Sequence, residues 1–169
     1  MVNKRAELMR SHILESFAKV LANTPFSKLT VKSICDEAEI NRNTFYHHFK
    51  DKYDILDAVF HYGLAEFFKH TDLKEFTKHP FTTLAGIQDT EFLVVLHLQM
   101  KDPEFVKLFE RSCMNYLFKI SGDSDFLWLL GNVYVITLWN DNQHNPYDPM
   151  QDYKILDQIY TTHRFPPLR

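Results

Sequence analysis

The sequence predicts an all-α protein: an N-terminal three-helix head built around a helix-turn-helix, followed by a longer helical body. Three observations carry this. Only four of 169 residues are glycine while 45% are hydrophobic, a composition suited to a folded chain with few flexible turns. Apolar residues recur at three- and four-residue spacing along most of the chain, the period of a helix with one buried stripe. The pairs Thr24-Pro25, Asp102-Pro103 and Asp148-Pro149 punctuate those patterns where one helix should stop or the next begin.

The first helix is expected from Lys4 to Asn23, with Met9, Ile13, Phe17 and Val20 or Leu21 on one face. Lys4, Arg5 and Arg10 cluster at its start, either as a solvated face or where a phosphate backbone passes, adding affinity without sequence information. Thr24-Pro25 ends it, and Phe26 and Leu29 fold back to close the head's core. Thr30 is the N-cap of a second helix whose Val31, Ile34, Cys35 and Ala38 share a stripe, leaving Lys32, Ser33, Asp36 and Glu37 outward. The chain breaks at Glu39 and Ile40. Asn41 caps a third helix of barely two turns that sends Phe45 and Phe49 inward, four residues apart. Its outer face is Arg42, Asn43, Thr44, Tyr46, His47 and His48, a set of donors and acceptors able to address base edges and phosphates. A second helix entering the major groove with its N-terminal residues leading is the docking geometry of the helix-turn-helix, and Arg and Asn there can contact guanine and adenine bidentately.

Two strings, T-V-x-x-I-x-x-x-A from Thr30 and N-R-x-T-F-Y-x-H-F-K-x-K ending at Lys52, resemble the N-terminal domain of the TetR family of bacterial transcriptional regulators. The match is close over Leu29 to Lys52, and looser over Ile13 to Phe26 and Tyr53 to Phe60. The resemblance implies a double-stranded DNA operator as partner. Thr44, Tyr46 and His48 would contact phosphates or neighbouring base edges, Lys52 would reach a phosphate from the start of the next helix, and Arg42 and Asn43 would set operator sequence. Thr30 and His47 complete the expected DNA-facing set. One departure stands in the turn: family members generally carry Gly where this chain has Glu39, and a left-handed conformation there costs a residue with a side chain about 1–2 kcal/mol.

A domain boundary is expected between residues 52 and 53, at the start of a fourth helix. Asp51 caps that helix, which runs from Lys52 to about His70 with Ile55, Leu56, Val59, Phe60 and Phe67 inward. From Thr71 to Gln88 the pattern weakens around Pro80 and Gly86, which predicts a short helix and a loop. Asp89 or Thr90 starts a helix containing FLVVLHLQM, too apolar for a surface element. Asp102-Pro103-Glu104 supplies a cap, a proline at the first helical position and an acidic first turn for a helix to about Ile120, with Val106, Phe109, Cys113 and Tyr116 or Leu117 at buried spacing. FLWLLGNVYVITLW is apolar nearly all round, interrupted only by Gly131 and Asn132, as expected of a helix covered by its own chain on one side and a partner on the other. Asp148-Pro149 starts the last helix, with Met150, Tyr153, Leu156, Ile159 and Tyr160 on one face. By the same resemblance this pair is the four-helix dimer interface of TetR subunits, giving a homodimer through Trp128, Val135, Trp139, Tyr153, Leu156 and Tyr160.

Charge is divided along the chain. Residues 1–52 hold nine Lys and Arg against six Asp and Glu, and residues 53–169 hold ten against sixteen, so a head of +3 precedes a body of −6. Cys35 and Cys113 form no C-x-x-C pair and read as small buried residues in a reducing cytosol. The start, MVNKRAELMR, is no secretory signal, and no apolar run reaches the ~20 residues of a membrane span. A cytoplasmic protein is expected. Histidines are numerous, but no two of them stand at i, i+4 with a carboxylate partner to complete a metal site. No glycine-rich phosphate loop, G-x-S-x-G or H-E-x-x-H supports an enzyme, and no cofactor is called for.

Twenty of the 25 aromatic residues lie in the body, most as core. A pocket for a small-molecule effector of unknown identity would be sought at Phe92, Leu96, Met100, Phe109, Met114, Tyr116 and Trp128. The function expected is a repressor released from a palindromic operator when its body, a ligand-binding and dimerisation domain, takes up that effector. The alternative is a DNA-tethered adaptor or activator whose body binds another protein.

Overall fold

The structure, a computed structural model, describes residues 4–86, 90–121, 125–144 and 146–167. Among these residues the regular elements are all helical, and they divide into two compact units.

The first unit comprises Met1–Gly63 and Asp89–Cys113. It begins with α1 (Lys4–Asn23), a single 3-10 turn (Phe26–Lys28), α2 (Val31–Glu37), α3 (Arg42–His48) and the start of α4 (Lys52–His70). Its core is the predicted set: Ile13, Phe17, Phe26, Ile34, Phe45 and Ile55 are all fully buried. The caps also form. Thr30 Oγ1 accepts from the Ser33 amide at 3.1 Å while Ser33 Oγ accepts from the Thr30 amide at 3.2 Å, a reciprocal box with serine in place of the usual Glu. Asp51 Oδ1 accepts from the Tyr53 and Asp54 amides at 2.8 and 2.9 Å, and Asp54 answers by accepting from Lys50 N at 2.9 Å.

The compact unit does not end where the sequence places its boundary. Helix α7 (Thr90–Gln99) and the first part of α8 (Pro103–Ser121) belong to it, because two buried side chains at their junction grip the backbone after α1. Gln99 Oε1 accepts from Phe26 N at 2.9 Å, and its Nε2 donates to the carbonyls of Leu21 at 2.6 Å and Thr24 at 2.9 Å. Asp102 Oδ2 accepts from Ser27 N at 2.7 Å while Oδ1 caps α8 through Glu104 N at 3.0 Å. Burial alone would raise the Asp102 carboxyl, but hydrogen bonds from Ser27 and the backbones of Glu104 and Phe105 outweigh it and hold the group below the ordinary carboxylate range. Helix α7 starts at Thr90; the alternative cap, Asp89, lies outside the described residues. The expectation that α7 is too apolar for a surface element is overturned at Val94, 67% exposed, and Met100, just past the helix, is 44% exposed. On α8 the stripe falls on Phe105, Ser112 and Leu117, with Val106 only half-buried.

The second unit comprises Leu64–Gln88 and Met114–Arg169. Between residues 71 and 86 it holds two short helices, α5 (Leu73–Lys78) and α6 (Pro80–Ala85). Pro80 starts α6 rather than interrupting a pattern, since its missing N–H costs nothing in the first turn. The buried Asp157 on α10 (Tyr153–Thr162) caps α6 from a distance, accepting from Phe81 N and Thr82 N at 2.9 Å each and from Thr82 Oγ1 at 2.5 Å. Phe81, Leu156 and Ile159 form the unit's core with Ile136 of α9 (Asp125–Asn142). Asp148-Pro149 does not start α10. Asp148 Oδ1 accepts from Met150 N at 2.8 Å and its carbonyl from Asp152 N at 2.7 Å, which closes a turn, and the helix follows at Tyr153.

Candidate nucleic-acid interface

Helix α3 is fastened from beneath and at both ends, with its outer face left open. Phe45 and Phe49 anchor it in the core, rings 5.8 Å apart. At its N-terminus Asn41 Oδ1 accepts from Thr44 N at 2.8 Å and from Thr44 Oγ1 at 3.1 Å. The Thr44 proton is thereby turned to Asn41, which leaves its oxygen as an acceptor. At the C-terminus Arg10 Nη1 donates to the His48 carbonyl at 2.8 Å, and its guanidinium lies 4.1 Å from the Phe49 ring centroid. A cation answering the last carbonyls suits the negative end of the helix. Sequence reasoning placed Arg10 only in a basic cluster, and a bond spanning 38 residues left no local signal. Arg42, Asn43, Tyr46 and His47 are exposed, and Thr44 and His48 half-buried.

The turn before α3 has the geometry the sequence made doubtful. Glu39 adopts a left-handed conformation, φ 52°. Its amide bonds the Asp36 carbonyl at 3.4 Å, and Ile40 N bonds the Cys35 carbonyl at 3.0 Å, the paired bonds of a Schellman helix end. His12 Nε2 lies 2.9 Å from the Ala38 carbonyl, so α1 adds a further tie to this corner. The helix-to-helix angle is therefore held without glycine.

A sequence profile described as bacterial regulatory proteins of the tetR family matches residues 13–59, which is α1 from its first buried residue through α3 and into α4. The head is a TetR-family domain. A solved structure similar to this chain is the fatty acid degradation regulator FadR from Bacillus halodurans, with TM-score 0.52 and 18% identity over 90% of this chain and 94% of that one. A second, from Clostridium perfringens and assigned to fatty acid metabolism regulation, aligns over 92% of this chain and 100% of that one at 18% identity, with TM-score 0.40. A search of curated proteins finds no match. The match over residues 13–59 makes the head a DNA-binding domain of TetR type.

Within this TetR head, Thr30 and Lys52 differ from the other expected DNA-facing residues. The Thr30 hydroxyl is engaged in the cap of α2. The Lys52 side chain is only 14% exposed: its Nζ lies 3.0 Å from the Phe26 carbonyl, 3.6 Å from Glu104 Oε2 and 4.4 Å from the Phe26 ring centroid. Tyr53 adds a hydrogen bond to Glu104 Oε1 at 2.7 Å. A phosphate contact by Lys52 would have to replace these internal partners, which tie the start of α4 to the turn at Phe26 and to Glu104 on α8.

The residues expected to line an effector pocket are divided between the two units, Leu96, Met100 and Phe109 in the first and Met114, Tyr116 and Trp128 in the second. Leu96 and Phe109 pack on the head's core, Phe109 with its ring 5.4 Å from Phe60, and Met100 is exposed. Tyr116 stacks on Phe68 at 5.6 Å, Met114 is exposed, and Trp128 is 72% exposed. The side chain of Phe92 lies outside the described residues. Of the expected interface residues, Trp128 and Val135 are exposed on α9, with Tyr134 and Leu138 beside them. Leu156 is 2% exposed in its own unit's core and Tyr160 donates to the Thr77 carbonyl at 2.9 Å, so these two face inward, because α10's apolar side packs on α6 and α9. Trp139 and Tyr153 flank the same core. Among the described residues no group of three or more His, Cys, Asp or Glu could hold a metal ion, and no helix is long and apolar enough to cross a membrane.

Proposed function

We propose that the chain acts as a homodimeric repressor that presents α3 to the major groove of a near-palindromic operator and releases it when the second unit takes up a small molecule. The observation that carries this reading is the outer face of α3: Arg42, Asn43, Tyr46 and His47 are exposed on a helix fixed by Asn41 and Arg10 at its ends. Rigid placement with free side chains is what base readout requires. The exposed stripe of Trp128, Val135 and Leu138 on α9 supports pairing with a second copy, since three large apolar groups on one helical face call for cover. Two-fold symmetry then sets half-sites about 34–36 Å apart or a small multiple. FadR is described as a regulator of fatty acid degradation; at 18% identity that likeness carries the fold and leaves the effector to this chain's own chemistry.

The test is selection of duplexes from a randomised pool at two salt concentrations. Enrichment of an inverted repeat, with Arg42→Ala relaxing one base position by about 1–3 kcal/mol, supports the reading. Binding that is salt-sensitive but independent of sequence refutes it.

A further inference from the structure

The apolar helix α9 is interrupted by Asn132, and the function of the head does not call on it. The Asn132 side chain makes no hydrogen bond among the described residues, and it borders two adjoining depressions of the second unit. One is an open groove of about 490 Å³ lined by Thr77, Lys78, His79, Asn132, Tyr160, Thr161 and His163. The other is a slot of about 80 Å³, lined by Asn132, Val135, Ile136, Ile159, Tyr160, His163 and Phe165. Asn132, Tyr160 and His163 belong to both, so a polar mouth opens directly onto an apolar recess.

The chemistry of the lining selects a ligand. The groove offers an ammonium from Lys78, imidazole donors from His79 and His163, and the Asn132 amide, with no carboxylate among its walls. Asp157 is the nearby acid, and its oxygens accept from Phe81 and Thr82. Lys78 lies 3.5 Å from Glu75 in a pair in which both side chains are more than half exposed, a partner easily exchanged for a ligand. His163 is held at the mouth in a left-handed conformation, φ 54°, at the end of α10. The recess is aliphatic and aromatic, and its volume of about 80 Å³ is room for only a few water-sized groups. A short branched alkyl end suits it better than a long acyl chain.

We propose that this groove binds a short-chain carboxylate, its oxygens on Lys78, His163 and Asn132 and its branched alkyl end between Ile136, Ile159 and Phe165. The assignment gives a place to the effector in the reading above and rests on that reading only for its consequence on DNA.

Titration calorimetry of the full chain with sodium 3-methylbutanoate tests it, with 3-methylbutanamide as the neutral analogue and dodecanoate as the long one. The expected result is saturable binding of the carboxylate, at least tenfold weaker for the amide and no tighter for dodecanoate. Lys78→Gln with His163→Gln should weaken it about tenfold, and Asn132→Leu should weaken it alone. Lys107→Gln, exposed on α8, should leave it unchanged. Absence of binding, or binding that all these variants leave intact, overturns the proposal. Operator binding measured on the same proteins separates the two readings. Operator binding that persists without carboxylate binding removes the groove and keeps the regulator, and the reverse keeps the groove and removes the regulator.

Discussion

Replacing Glu39 by glycine should stabilise the head. Glu39 is exposed at φ 52° and makes no ion pair or side-chain hydrogen bond among the described residues, so nothing local offsets its conformation. A left-handed residue with a Cβ costs about 1–2 kcal/mol. Glycine removes that cost but adds about 0.5–1 kcal/mol of unfolded-state entropy. The net gain is about 0.5–1 kcal/mol, a rise in Tm of roughly 1–4 °C for a chain of this size. Thermal unfolding followed by far-ultraviolet circular dichroism reads it directly. Two further substitutions identify the cause. Glu39→Asn, which tolerates the left-handed region, should gain less than glycine, and Glu39→Ala, which keeps the Cβ, should gain nothing. If alanine stabilised as much as glycine, removal of charge would be the cause and the strain argument would fail. Because the Schellman bonds from Glu39 and Ile40 use backbone atoms only, operator affinity should stay within about twofold.

Lys52→Met keeps the aliphatic stem and removes the ammonium from Phe26 and Glu104, so stability should fall by about 1–3 kcal/mol while the salt dependence of DNA binding is unchanged. A salt slope reduced by about one with stability intact would instead restore the phosphate role. Asp102→Asn should destabilise the first unit at neutral pH, read by urea titration. The folded carboxyl sits below its ordinary value, so its contribution is fully present above the unfolded value of about 3.9 and is lost as pH falls through the lower folded one. The gap between wild type and variant should therefore close only below about pH 4, and a gap closing near neutrality would contradict the assignment. Burial pushes the Cys113 thiol up to about 12 and raises Cys35 as well, so disulfide-exchange labelling at pH 8 should be at least tenfold slower in the native chain than in urea. Rapid native labelling would show that the thiols are not enclosed.

What the sequence revealed and what it concealed differ by range. The caps at Thr30, Asn41, Asp51 and Asp102 and the stripes of α1 to α4 were legible because a cap and the amide it binds lie two or three residues apart, and helical periodicity repeats within one turn. Gln99 reads as one polar residue closing an apolar helix, yet its bonds reach 73 to 78 residues back to the end of α1. Asp157 caps α6 across 76 residues in the same way. In each case the partner is a main-chain group, whose chemistry is the same at every position, so no residue type announces it. The boundary expected at residue 52 differs from the edge of the compact unit for that reason: composition and charge change there, but Gln99 and Asp102 tie α7 and α8 to the head through backbone atoms. The pocket lining was hard to read for a different reason. Its seven residues were chosen as large apolar side chains of central helices, and core and lining share that composition. The groove that is present is bordered by the opposite kind of residue, the Asn132 amide that interrupts the apolar run of α9. In a chain whose core is this aromatic, the polar exceptions carry more positional information than the apolar rule, because each must find a partner or face an opening.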